Sequence, residues 1–130
     1  MAPERRADRP SSPAGHAGFY NAQRFTLNVT RAAMRRMGWS PSVRLFEAAA
    51  CGTPIVSDPW RGLSDLLPED SLVVAHGTED VLRALALPEG QALALGRAAR
   101  TRVLARHTGL ARARELARAL RPQDLAATGT

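Results

Sequence analysis

Glu47 is the residue whose type and setting most invite chemistry. It stands in the run Ser40-Pro-Ser-Val-Arg-Leu-Phe-Glu-Ala-Ala-Ala-Cys-Gly-Thr-Pro-Ile-Val-Ser-Asp58, one step from an apolar stripe in an alanine-rich helix. Two readings fit. Glu47 and Arg44 lie at i, i+3, where an exposed ion pair is worth about 0.2–0.5 kcal/mol. Alternatively, the carboxylate faces a cleft and accepts both hydroxyls of a cis-diol such as ribose, which no neutral side chain does equally well. On the first reading Glu47→Ala scarcely affects the helix, because Ala is the better helix former. Asn28 and Arg31 come next. They end the first credible strand, and ligands of open parallel sheets gather at the carboxyl ends of strands; equally, Asn28 can satisfy loop backbone and Arg31 can be solvated. Cys51 closes the helix as a small packed residue, with nothing adjacent in sequence to make it a nucleophile. His16, His76 and His107 are too scattered for a metal site.

The elements that must hold these residues follow from local signals. Ser40 is placed to cap a helix with Pro41 at its first position, and Gly52 and Pro54 stop it. Its apolar side is expected to be Val43, Phe46, Ala49 and Ala50, with Arg44, Glu47 and Cys51 on another. Thr53–Val56 reads as a buried parallel strand. Upstream, Phe19–Arg24 reads as a short helix, Phe25–Thr30 as a strand, and Arg31–Met37 as a short helix or mobile loop. The loop Ser57–Gly62 carries Trp60, which can stack on a base or sugar or cover a domain edge. Then come a short helix at Leu63–Leu67, a strand at Ser71–Ala75, a helix opened by Thr78-Glu79-Asp80, a long helix Glu89–His107, and Gly109–Leu120 capped by Thr108. Strands alternating with helices make an α/β layer on a small parallel sheet, with helices at the C-terminal end.

The chain of 130 residues fits one domain. Residues 1–16 read as a disordered leader, 17–121 as the folded unit and 122–130 as a flexible tail. The first ten residues have charge but no apolar stretch, so no secretory signal is expected, and no run approaches membrane-spanning length. One cysteine rules out an internal disulfide and suits the cytoplasm. Residues 1–90 hold ten arginines and ten acids; residues 91–130 hold eight arginines against Glu115 and Asp124, which carries the whole net charge of +6. Those arginines could neutralise several phosphates in a nucleic-acid module. Missing aromatics and motifs argue against it, and solvated helix faces account for the charge.

The central run resembles the nucleotide-sugar-binding segment of GT-B glycosyltransferases. It looks most like the glycosyltransferase-like domain of the CgeB spore-maturation family, a bacterial family. The resemblance extends upstream through Phe19-Tyr-Asn-Ala-Gln-Arg-Phe-Thr-Leu-Asn-Val-Thr-Arg31 and downstream through Ser71-Leu-Val-Val-Ala75 to the arginine-rich helices. It implies a Rossmann-like three-layer sandwich, half of a GT-B fold, that takes a UDP-, GDP- or dTDP-linked sugar as substrate and needs no cofactor or metal. Glu47 would hold the ribose, while Ser40, Ser42 and Arg44 would face the phosphates at a helix N-terminus. Asn28 and Arg31 complete the candidate set. Related enzymes often carry a second acid eight residues before this Glu; Trp39 stands there instead, which removes the expected sugar-side acid. The resemblance names no catalytic residue and points to a missing N-terminal Rossmann-like domain, possible as a separate chain. The alternative is a non-catalytic, spore-coat-like or partner-binding remnant of the fold.

Overall fold

The computed structural model describes residues 12–121. In chain order the elements are α1 (Pro13–Asn21), β1 (Thr26–Asn28), α2 (Ala32–Met37), α3 (Val43–Ala50), β2 (Ile55–Ser57), α4 (Leu63–Leu66), a 3-10 turn (Glu69–Ser71), β3 (Val73–Val74), α5 (Thr78–Leu85), α6 (Glu89–Arg106) and α7 (Gly109–Ala119). Helix α1 begins earlier than the expected Phe19, inside the proposed leader. Ser12 caps it by accepting the Gly15 N–H at 3.1 Å, and Pro13 supplies a preset φ at the first position. Residues 1–11 and 122–130, which hold the rest of the expected leader and the tail, lie outside the described residues.

Helix α3 starts two residues later than its sequence suggests. Gly38 (φ 72°) and Trp39 (φ 54°) are both left-handed, and the Ser40 hydroxyl turns back to donate to the Gly38 carbonyl at 3.2 Å. Ser42 therefore becomes the cap, accepting the Arg44 N–H at 3.3 Å. The buried face is also rotated from the expected one. Leu45, Ala48 and Ala49 are buried and Phe46 partly so, while Val43 is 67% exposed and Ala50 is exposed. The stop is as read: Gly52 adopts φ 72°, its N–H donates to Ala49 and the Thr53 N–H to Ala48, the two bonds of a Schellman motif.

The sheet runs β1-β2-β3, all parallel, with Leu27 opposite Val56 and Val56 opposite Val73. Each strand is shorter than expected; β2 begins only at Ile55, because Thr53 belongs to the turn closing α3 and Pro54 cannot donate to a ladder. Alternation along β2 divides the core. Ile55 joins Tyr20, Leu45, Ala48, Ala49, Ala99 and Val103 on the face covered by α1, α3, α4 and α6, and Val56 joins Ala75 and Ala84 on the face covered by α5. Helix α6 approaches the α3–β2 turn so closely that a Cβ on Gly96 would lie 2.1 Å from the Gly52 carbonyl oxygen. Arg100 then donates to the free Ala50 carbonyl at 3.1 Å, a cation at a helix C-terminus. Helix α7 buries no residue, and Leu110, Leu116 and Leu120 stay exposed.

Candidate functional site

Glu47 faces α1 rather than Arg44. The Tyr20 hydroxyl donates to Glu47 Oε2 at 2.9 Å, and His16 Nδ1 lies 3.7 Å from Oε1, so that a protonated His16 would form an ion pair. The two helices frame a groove of about 400 Å³ lined by Ser12, His16, Tyr20, Glu47 and Cys51 among others. Tyr20 is buried, and its hydroxyl is pushed up to about 12, first by burial and then by the hydrogen bond to Glu47 and its charge; Arg44 pulls the other way. Arg44 thus stands within electrostatic reach of the pair without bonding to it. The Glu47 side chain is 36% exposed. A carboxylate offers about four lone-pair sites, so Tyr20 fixes its orientation and leaves acceptor capacity facing solvent.

The other sequence candidates are divided. Ser42 and Arg44 share α3 with Glu47, Ser42 as the cap and Arg44 exposed in the first turn. Ser40 precedes them, its hydroxyl committed to Gly38. Asn28 is 2% exposed, and its amide donates to the Ser57 hydroxyl at 3.0 Å, tying β1 to β2. Its side chain is used inside the sheet. Arg31 is exposed at the start of α2. Neither residue lines the Glu47 groove.

Sequence reasoning missed Tyr20 and Asp58. Tyr20 lies on another helix, twenty-seven residues away, and no spacing rule links the two. Asp58, at the carboxyl end of β2, accepts the Thr30 N–H at 3.1 Å and the Thr30 hydroxyl at 2.8 Å, with Arg35 at 3.8 Å. It closes the loops after β1 and β2 against each other, and the Asp at the end of an apolar strand was the available signal. A larger cleft, about 720 Å³, lies at the opposite, amino end of the strands around Arg24, Thr53, Pro54 and Glu89. Its Arg24 is already occupied by the Leu85 and Leu87 carbonyls. The smaller groove is the better candidate, because a carboxylate, a phenol and an imidazole converge there.

Among the described residues no group of three His, Cys, Asp or Glu side chains could hold a metal ion, and no helix is long and apolar enough to cross a membrane. A family model described as "Glycosyl transferase-like" matches residues 3–118. No curated protein and no solved structure matches the chain.

Proposed function

The chain belongs to the glycosyl transferase-like family, and from that premise we propose that it binds the nucleotide part of a sugar donor along α3, with Glu47 holding the ribose. The family match supports glycosyl transfer as the general function. The observation that carries the finer reading is the Glu47 carboxylate, part-exposed in a groove and oriented by Tyr20 from behind. Such an acceptor is matched to two adjacent hydroxyls. Ser42, Arg44 and the first turn of α3 lie toward the helix N-terminus, where a diphosphate is favoured without a metal. The donor is a UDP-, GDP- or dTDP-linked sugar, and the acceptor side of the reaction falls to a second Rossmann-like domain.

Calorimetric titration of UDP, GDP and dTDP tests this. Charge-assisted hydrogen bonds contribute about 1.5–3 kcal/mol each, so loss of the pair in Glu47→Ala should weaken the preferred nucleotide by at least about 100-fold. Glu47→Gln, which keeps one acceptor, should fall between. Unchanged affinity in both variants, for a nucleotide that the parent binds, removes Glu47 from the site.

A further inference from the structure

We propose that α7 is a membrane-surface helix, which seats its leucines in the interface of a bilayer containing anionic lipid and its arginines among the headgroups. The helix has 11 residues, is capped by the Thr108 hydroxyl, which accepts the Ala111 N–H at 3.1 Å, and buries no residue. Isolated helices shorter than about 12–15 residues are marginal in water, and most helices draw their stability from packing an apolar face. Helix α7 has such a face and packs it on nothing: Leu110, Leu116 and Leu120 are 62%, 61% and 65% exposed.

At about 100° per residue, Leu110, Ala113, Leu116, Ala117 and Leu120 fall within one stripe about 120° wide. Ala111, the one residue of α7 that is partly buried, lies almost opposite the centre of that stripe. The body of the protein is therefore behind it, and the leucines face outward. Glu115, the one acid of the helix, is also on the rear side, where Arg112 donates to it at 2.8 Å. Arg114, Arg118 and Arg121 line one edge of the stripe, and among the described residues none of the three has a carboxylate partner.

This charge pattern selects the occupant. A helix with an apolar stripe edged by basic residues lies in the plane of a lipid interface, and each arginine near an anionic surface strengthens the attachment. Arginine stems reach from the level of the stripe to the headgroups. At its length α7 can lie in the interface but not span a bilayer. A second copy fits poorly, because two such helices face to face would bring their arginine edges together with the acids turned away. Nucleic acid would use the arginines and leave the leucines in water. The net charge of +6 adds a longer-range attraction to the same anionic surface.

The test is flotation of the 130-residue chain with vesicles of phosphatidylcholine alone, and of phosphatidylcholine mixed equally with phosphatidylglycerol. The parent should float with the anionic vesicles and stay behind with the neutral ones. A chain of this charge could adsorb by charge alone, so the leucines decide. Leu110→Gln with Leu116→Gln keeps every charge and puts a good helix former at both positions. This pair should weaken binding at least about tenfold, with the melting temperature unchanged because both sites are exposed. Arg114→Gln with Arg118→Gln should weaken it about 30-fold, whereas Arg97→Gln, on α6, should stay within about twofold of the parent. No flotation of the parent overturns the proposal, and so does a leucine variant that floats as the parent does. A parent that stays off vesicles and is instead a dimer split by the leucine changes, or binds duplex DNA in a salt-sensitive way, gives the surface to one of those partners and overturns it too.

Discussion

Tyr20 changes what Glu47 is at the scale of single residues. The residue is buried and its hydroxyl, part-buried, has Glu47 as its acceptor, so the effect of mutating Glu47 is not the innocuous one that helix propensity suggests. Glu47→Ala leaves the phenol without its partner and should cost about 1–3 kcal/mol in urea melts, whereas Glu47→Gln retains an acceptor and should cost less. The Gln variant is therefore the cleaner one for binding. The phenol itself can be followed directly, because it belongs to the chain's single tyrosine. Ultraviolet titration should find its midpoint near 12 in place of the ordinary 10.0. Glu47→Gln should lower it, though not to 10.0, since burial is the larger cause. The sign follows from linkage: the fold favours the protonated phenol, so this contribution to stability is complete below pH 10 and is lost as pH rises through about 12. A midpoint at 10 in the folded protein would show that Tyr20 is neither buried nor bonded to Glu47.

Between elements the decisive contact is α6 on the α3–β2 turn. Gly96→Ala would drive a Cβ into the Gly52 carbonyl, while Gly90 on the same helix has nothing within 4 Å of its Cβ position. Gly96→Ala should destabilise by about 3 kcal/mol, the upper end for overpacking, and Gly90→Ala should stabilise by about 0.4–1 kcal/mol. Chemical denaturation of the two variants checks both signs, and equal effects would mean that α6 does not touch the turn. The comparison also marks what could be read from the sequence. Gly52, Pro54, Thr108 and the long α6 were legible because caps and stops act within a few residues. The need for Gly at 96 was not, since it depends on a carbonyl forty-four positions earlier. For the same reason the α3 cap was misplaced: Ser40 and Ser42 are equally good cap residues, and the left-handed pair Gly38-Trp39 decides between them. At the candidate site the sequence could put Ser42, Arg44 and Glu47 on one helix, but it could show neither the Tyr20 hydroxyl beside Glu47 nor the Asn28–Ser57 hydrogen bond inside the sheet, both of which join distant parts of the chain.

Over the whole molecule, stability depends on the long C-terminal helix, and its far end carries a pH-sensitive joint. His107 Nε2 donates to the Leu66 carbonyl at 2.9 Å, while its Nδ1 accepts from Arg112 at 2.6 Å, which requires the neutral ring. Burial holds its pKa below the usual 6.5, and Arg112, Arg102 and Arg106 add to the depression against the Leu66 bond. The folded state therefore favours the unprotonated ring, and this contribution is full above about pH 6.5 and lost as pH falls through the folded value. Melting temperatures should fall across that acid range more steeply in the parent than in His107→Gln. Parallel curves would show the joint to be without effect. The distance in sequence between α3 and α6 has one more consequence, for the order in which the chain is made. Leu45, Ala48 and Ala49 bury themselves partly against Ala99 and Val103, so α3 leaves the ribosome before its cover exists. At about 5–20 residues per second, that interval lasts roughly 3–10 s. During it the apolar side of α3 is open to chaperones, and the most specific stretch of this protein is among the last to become native.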